Sequence, residues 1–443
     1  MSLRLLLIRH GLSSYNREKR IQGRSDLSSL TAEGKSQASK TGAALQSIPI
    51  HTVYSSPLQR AQDTAKELLM KQGGTTELIL EDDLLEVDLT QWSGLTIDEV
   101  KSKFPDSYLI WKNSPSELTL NRKDGTKYKP IHELTCQAER FINKILSTYK
   151  PEEDKNIVVV GHNAILRCLI LKILGNPNFG FRRIKLDNAS VSIFNINITE
   201  DKQLSIQIEC LNNTSHLAPK FPPKGEKPRI FLVRHGETDW NKEGRFQGQI
   251  DIPLNNNGKQ QAIAAREFLK EVKFDKVFSS SMSRPIETAK IILQNLSSLE
   301  IDQKDELREI GHGLWEGKLE SEIAANWGEL LRKWQQSPET VQMPEGENID
   351  EVSTRAIRCW KSICKSLTDK ETALVVAHDA VNKTILCNLL GLTNADIWKV
   401  KQGNAGITII DLSKETCQPD VVTCLNITSG SQDIFDRTAQ GAL

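Results

Sequence analysis

The chain has 443 residues, with 57 Lys+Arg against 57 Asp+Glu, so its formal net charge is zero. Length alone suggests two or three domains, and the charge balance is +3 up to Ser215 and −3 thereafter, so neither part has the basic excess of a nucleic-acid binder. No apolar stretch approaches the roughly 20 residues of a membrane span, and the eight cysteines form neither a Cys-x-x-Cys pair nor a zinc-type spacing; Cys136, Cys168, Cys210, Cys359 and Cys387 read as reduced thiols of a cytoplasmic protein with no bound metal or cofactor.

In chain order, Met1-Ser2-Leu3-Arg4 runs straight into the apolar stretch Leu5–Ile8, which reads as a buried strand and not as a signal peptide. The strand ends on Arg9-His10-Gly11, a histidine beside an arginine and a chain-turning glycine. Asn16 and Gln22 lie on the loop that follows. A second strand over Val53–Ser56 leads to Arg60 at the start of a helical pattern, Ala61–Leu69. Glu86 follows in a stretch that also carries Trp92. A third strand, Ile157–Val160, ends on Gly161-His162.

The order then begins again. Residues 216–228 contain Pro219, Pro222, Pro223, Gly225 and Pro228, and read as a semi-rigid linker whose role is tethering. It divides the chain into domains over 1–215 and 229–443. In the second, Ile230–Val233 ends on Arg234-His235-Gly236, 225 positions after the first triplet, with Asn241 and Gln247 on the next loop. Val277–Ser280 precedes Arg284, which heads a helix over Pro285–Leu293 within a pattern running to Leu296. Glu309 lies in Leu307–Gly317 beside His312 and Trp315, and Ala373–Ala377 ends on His378. Arg20-Ile21-Gln22-Gly23 matches Arg245-Phe246-Gln247-Gly248, and Cys210-Leu211-Asn212 matches Cys424-Leu425-Asn426. The period is far too long for a solenoid. The chain is two copies of one domain.

Strands alternating with helices imply an α/β class, here two tandem doubly wound, mostly parallel sheets. Ligands of such sheets sit outside the carboxyl ends of the strands, where three segments per half deliver their polar residues. A lone Arg-His-Gly is expected by chance in about one such chain in twenty, but the whole set recurs twice in the same order. Arg234, Arg284 and His378 can cage a dianionic phosphate, since guanidinium forks match its oxygens. Amides at the start of the helix after Arg284 would add to anion binding, and Asn241 and Gln247 would supply neutral donors. His235 can attack as a neutral imidazole if its other nitrogen donates to a fixed acceptor, most simply a backbone carbonyl. Glu309, its pKa raised by the phosphate, would protonate the leaving group and then activate water. The cations are side chains, so this chemistry needs no metal. Trp92 and Trp315 read as packing residues, and His312 is a candidate for specificity.

These residues resemble the histidine phosphatase superfamily, its phosphoglycerate mutase-like branch, over essentially both halves. Arg234-His235-Gly236-Glu237-Thr238-Asp239-Trp240-Asn241 resembles the signature in full. The resemblance implies nucleophiles at His10 and His235 and acids at Glu86 and Glu309. It implies phosphate pockets at Arg9, Arg60 and His162 in one half and Arg234, Arg284 and His378 in the other. Within the family, the tandem layout is similar to the 2-carboxy-D-arabinitol 1-phosphate phosphatases, on Val375–Asn382 and Glu86–Leu89. A small phosphorylated sugar or sugar acid is therefore the expected partner.

The first half departs from the pattern. Leu12 stands where Glu237 stands, Ser93 where Glu316 stands, and Pro344-Glu345-Gly346-Glu347-Asn348 is replaced around Lys129–Glu133. Three readings follow: a metal-independent phosphomonoesterase acting through phosphohistidine, a phosphoglycerate mutase, or an enzyme whose first half senses a phosphorylated ligand. Asn113–Lys129 and Trp327–Met343 are left to read the rest of the ligand.

Overall fold

The computed structural model describes residues 3–73, 76–149, 154–175, 180–198, 204–294, 299–415 and 418–429. The chain divides into two compact units, Met1–Pro222 and Pro223–Leu443.

The first unit runs β1 (Leu3–Arg9), α1 (Ser14–Arg17), α2 (Ala32–Ala44), β2 (Thr52–Ser55), α3 (Gln59–Lys71), β3 (Leu78–Leu80), α4 (Ile97–Lys103), α5 (Pro105–Asn113), the ribbon β4 (Leu120–Asn121) and β5 (Lys127–Tyr128), α6 (Pro130–Thr148), β6 (Lys155–Gly161), α7 (Asn163–Ile173), β7 (Val191–Ile198) and β8 (Leu204–Asn213). Its strands lie in the order β8-β7-β1-β6-β2-β3. The four from β1 to β3 are parallel, and β7 and β8 are antiparallel. Leu5, Leu6, Val158 and Val159 on the central strands are fully buried. Cover on both faces explains why these strands read as unbroken apolar runs.

The second unit repeats the plan with β9 (Arg229–Arg234), α8 (Asp239–Glu243), α9 (Asn256–Leu269), β10 (Lys276–Ser280), α10 (Ser283–Ile292), β11 (Ile301–Lys304), α11 (Glu320–Gln336), α12 (Ile349–Ser366), β12 (Thr372–Ala377), α13 (Asp379–Leu390), β13 (Ile407–Asp411) and β14 (Val421–Ile427). Its order is β11-β10-β12-β9-β13-β14, parallel from β9 to β11. On α12, Ile349, Val352, Ala356, Trp360 and Ile363 are buried at helical spacing, and a capping box between Asn348 and Glu351 starts the helix. The helix expected over Pro285–Leu293 begins two residues earlier, at Ser283; Leu296 lies outside the described residues.

Two expectations change. Residues 216–228 are not a free spacer. The His216 Nε2 lies 2.9 Å from Thr41 Oγ1 and 3.1 Å from the Ala189 carbonyl, which folds that part into the first unit. Lys224 donates to Thr372 Oγ1 at 2.5 Å, which folds the rest into the second. Nor is a left-handed turn what calls for glycine in the triplets, since neither Gly11 nor Gly236 has a positive φ. A Cβ on Gly11 would strike the Gly34 carbonyl, and one on Gly236 the Gly258 carbonyl. Close packing against the start of α2 and α9 is what demands glycine there.

Candidate active site

The parallel strands β9 and β12 end side by side, with Arg234 opposite Ala377. The next residue on each is a histidine, and the His235 and His378 rings are 5.1 Å apart. In the first unit, Arg9 opposite Gly161 sets His10 and His162 at the same 5.1 Å. All four histidines are buried.

The His235 Nδ1 lies 2.7 Å from the Gly236 carbonyl, and His10 Nδ1 lies 2.8 Å from that of Gly11. A carbonyl only accepts, so Nδ1 carries the proton and Nε2 keeps its lone pair. Arg284 Nε donates to His235 Nε2 at 3.3 Å, and its Nη2 is fixed by the Gly248 carbonyl at 2.9 Å. Arg60 is fixed by the carbonyls of Gly23 and Ser25, at 2.9 and 2.8 Å. Its Nε is buried with no partner among the described residues. Burial holds His235 well below the usual imidazole range, with Arg284 and then Arg234 adding to it. Burial, Arg60 and Arg9 do the same for His10. Burial lowers Arg60 and Arg284 only to about 10, so both stay cationic at neutral pH. The result is a neutral imidazole whose Nε2 carries no proton, beside buried guanidiniums, one of which donates to it in the second unit.

His378 Nε2 is held by Ser280 Oγ at 2.9 Å and His162 Nε2 by Ser56 Oγ at 2.8 Å. Their Nδ1 atoms are buried without a partner among the described residues. Asn241 Oδ1 accepts from the Thr238 amide and hydroxyl, which leaves its amide nitrogen as the free end. Gln247 Oε1 accepts from the same hydroxyl at 3.0 Å, and its Nε2 is a buried, unpartnered donor. Asn16 and Gln22 accept in the same way from Ser13. The start of α10 offers fewer free amides than expected, because Asp251 accepts from the Ser283 amide at 3.0 Å and Pro285 has none.

Glu309 is buried against the start of α13. It accepts from the amides of Ile310 and Asp379 at 2.9 Å each. Its pKa is raised, as expected, but by burial first and the Asp379 carboxylate second. Glu86 accepts from the amides of Val87, Ala164 and Ile165, and Asn163 stands in the place of Asp379. Trp92 and Trp315 are fully buried packing residues. His312 is buried and lowered to about 4 by that burial. It lines a small pocket with Glu309, Trp334, Asp379, Lys383 and Trp398. Of the two unplaced segments, Trp327–Met343 supplies Trp334 to this wall.

Sequence reasoning missed several residues. Asn404 Nδ2 bridges the His235 carbonyl and Asn241 Oδ1 at 3.5 and 3.4 Å, and Asn188 does the same in the first unit. The repeated Asn188-Ala189 and Asn404-Ala405 were the available signal. Asp379 and Lys383 form a buried ion pair at 2.7 Å beside the pocket. Two of the first-unit departures, at Leu12 and Ser93, prove peripheral. Glu237 binds Asn255 and Asn257 at α9. Glu316 braces the amides of Gln249, Ile250 and His312. Ser93 Oγ instead holds the Gln22 carbonyl at 3.0 Å.

The model of the histidine phosphatase superfamily (branch 1) matches residues 5–209 and again 230–424. The chain belongs to this superfamily. A 2-carboxy-D-arabinitol-1-phosphatase of Triticum aestivum is 27% identical, over 96% of this chain and 86% of its own. Phosphoserine phosphatase 1 of Hydrogenobacter thermophilus is 32% identical over 45% of this chain and 92% of its own. Among solved structures, YhfR of Bacillus stearothermophilus is 30% identical, covers 46% of this chain and 98% of its own, and has a TM-score of 0.41. The protein is thus a phosphoric monoester hydrolase of the histidine phosphatase superfamily, with two phosphoglycerate mutase-like α/β units in tandem. Among the described residues, no helix is long and apolar enough to cross a membrane.

Proposed function

We propose that both units, taken as residues 1–215 and 229–443, hydrolyse a small phosphorylated sugar or sugar acid in cytoplasmic carbohydrate metabolism, without a metal. The supporting observation is the pairing of a neutral, carbonyl-anchored imidazole with buried guanidiniums in each unit. In the second unit, His235 Nε2 attacks phosphorus as the ester P–O bond breaks. Glu309 passes its proton to the leaving oxygen. Arg234, Arg284, His378, Asn241 and Gln247 hold the phosphoryl oxygens, and donors aimed at developing charge dominate such reactions. Positive charge appearing on the imidazole is relieved through its Nδ1–H bond to the Gly236 carbonyl. Water then attacks the phosphohistidine, Glu309 recovers a proton, and phosphate leaves. In the first unit these roles fall to His10, Glu86, Arg9, Arg60, His162, Asn16 and Gln22. The similarity of the whole chain to the wheat phosphatase makes 2-carboxy-D-arabinitol 1-phosphate the first substrate to try.

The test is phosphate release from sugar phosphates, phosphorylated sugar acids and phosphoglycerates, with and without EDTA, by the native chain, His10→Ala and His235→Ala. Each substitution should abolish one share of the release, with acid-labile labelled phosphohistidine lost in parallel. EDTA-sensitive release, or release with no phosphohistidine, overturns the mechanism. Conversion of 3-phosphoglycerate to 2-phosphoglycerate without phosphate loss selects a mutase. Full activity in His10→Ala, with altered response to phosphorylated ligands, selects a sensing role for the first unit.

A further inference from the structure

The two units share a cage but differ in the wall beside it. The stretch His162–Arg182 corresponds to His378–Trp398 with a constant offset, so Asn163 faces Asp379, Arg167 faces Lys383, Phe181 faces Ile397 and Arg182 faces Trp398. The correspondence holds in space. Trp398 Nε1 donates to the Trp334 carbonyl at 2.8 Å, and Arg182 donates to the carbonyl of Trp111, the matching tryptophan.

In the second unit this wall is electrically closed. Lys383 is 2.7 Å from Asp379 and 4.7 Å from the centre of the Trp398 ring. In the first it is open. The Arg167 and Arg182 guanidiniums lie 5.3 and 5.8 Å from the centre of the Phe181 ring. Each has one donor engaged by a backbone carbonyl and a buried Nε with no partner. No carboxylate bonds either one among the described residues. The charges acting on Arg167 include Glu86 and Asp187, but Glu86 is held by three backbone amides and Asp187 by Lys185 and Asn212. Burial, then Arg182, then Arg9 push Arg167 down to about 9, so it still carries its charge at neutral pH. Two half-buried like charges, each with a buried unpartnered Nε and no counter-ion, are costly, and an anion between them would reduce that cost with charge-assisted bonds.

We infer that the first unit takes a phosphomonoester bearing a second anionic group, which Arg167 and Arg182 receive, whereas the second unit does not select for one. The inference rests on reading both cages as phosphate sites, but not on turnover.

It is tested by calorimetric binding to the full chain. R284A leaves only the first cage intact, and R60A only the second. The probes are matched pairs: 3-phosphoglycerate against glycerol 3-phosphate for a carboxylate, and fructose 1,6-bisphosphate against fructose 6-phosphate for a second phosphate. R284A should prefer the doubly anionic member of at least one pair by about tenfold, and which pair responds identifies the group. R60A should discriminate by less than about threefold. Adding R167M or R182W to R284A should erase the preference. R182W installs the residue the second unit already carries there, so it guards against a misfolded variant. Equal affinity for both members of both pairs in R284A, or an undiminished preference after R167M and R182W, overturns the inference. Selective binding with no phosphate release supports it and counts instead against the hydrolase reading of that unit.

Discussion

Arg355 on α12 offers the sharpest test of how the proposed acid is held. It donates to Glu347 Oε1 and Oε2 at 2.8 Å each, and to the carbonyls of Glu306, Arg308 and Glu309 at 2.8, 2.6 and 3.0 Å. Glu347 also accepts from the Gly311 amide at 2.9 Å, so the pair clamps the loop that carries Glu309. R355Q removes the charge and leaves Glu347 without its main partner. Breaking a buried pair costs about 3–5 kcal/mol, but the side chains are 16% and 25% exposed, which brings the expectation to about 2–3 kcal/mol. Calorimetry on the full chain should show the second unit's transition falling while the first unit's stays. Phosphate release by the second unit, read in the H10A background, should fall about tenfold as the Glu309 backbone loosens. Burial pushes the Glu347 carboxyl up, but Arg355, the Gly311 amide and Gln249 outweigh it, and the net shift is downward. A lowered acid stabilises fully above its unfolded value near 4.3 and loses that contribution as pH falls through the folded value. The R355Q deficit should therefore shrink in acid. The first unit supplies a rescue. There Arg24 donates to the Glu86 carbonyl at 3.0 Å and to Gln137 Oε1 at 2.6 Å, and Gln137 donates to the Leu85 carbonyl at 3.2 Å. Arg24 and Gln137 occupy the places of Gln249 and Arg355, so arginine and glutamine have changed sides. Q249R/R355Q copies that arrangement and should recover at least half the loss. A loss under about 0.5 kcal/mol in R355Q, or a swap no better than R355Q alone, would refute the reasoning.

Asp379→Asn removes the carboxylate that, after burial, does most to raise Glu309. A smaller fraction of Glu309 is then protonated at neutral pH, so the basic limb of kcat/KM in the H10A chain should move to lower pH; an unmoved limb would detach Asp379 from the acid. Gln247→Leu deletes a buried donor that the free protein leaves unpartnered, while Thr238 keeps its bond to Asn241. Inorganic phosphate should bind the second unit roughly 10- to 100-fold more weakly, for a stability change under about 1 kcal/mol. A large loss of stability with phosphate affinity intact would make Gln247 a structural residue.

What the sequence made legible follows from where the chemistry sits. Arg9, His10, His162 and their counterparts directly follow unbroken apolar runs, and parallel strands must end at one edge. Order alone therefore brings residues over 140 positions apart to within one ring contact. The tautomer was legible too, because a nucleophilic histidine needs an acceptor and the next carbonyl is the nearest one. Asn188 and Asn404 were not legible: they sit on loops without periodicity, and only their spatial bridge to the triplet carbonyl gives them meaning.

The harder failures concern residues that work in pairs. Asp379 and Lys383 lie on a helix whose other residues are almost all buried, so their charges look misplaced until the 2.7 Å pair is seen. Residue-by-residue matching of the halves scores Arg24 against Gln249, and Gln137 against Arg355, as unrelated losses. In space both pairs hold the backbone at the glutamate: Arg24 and Gln137 bind the carbonyls of Glu86 and Leu85, and Gln249 and Arg355 both bind that of Glu309. The same matching gives Leu12 and Ser93 weight as departures, although Glu237 and Glu316 spend their carboxylates on loop amides and asparagines outside the cage. The cage is built from backbone-anchored groups, each fixed by a carbonyl or hydroxyl of its own unit, so it survives such changes. The wall is built from side-chain pairs, where exchanging Asp379, Lys383 and Trp398 for Asn163, Arg167 and Arg182 changes the net charge facing the ligand. After the duplication, the phosphate end could stay fixed in both units while the selective end diverged.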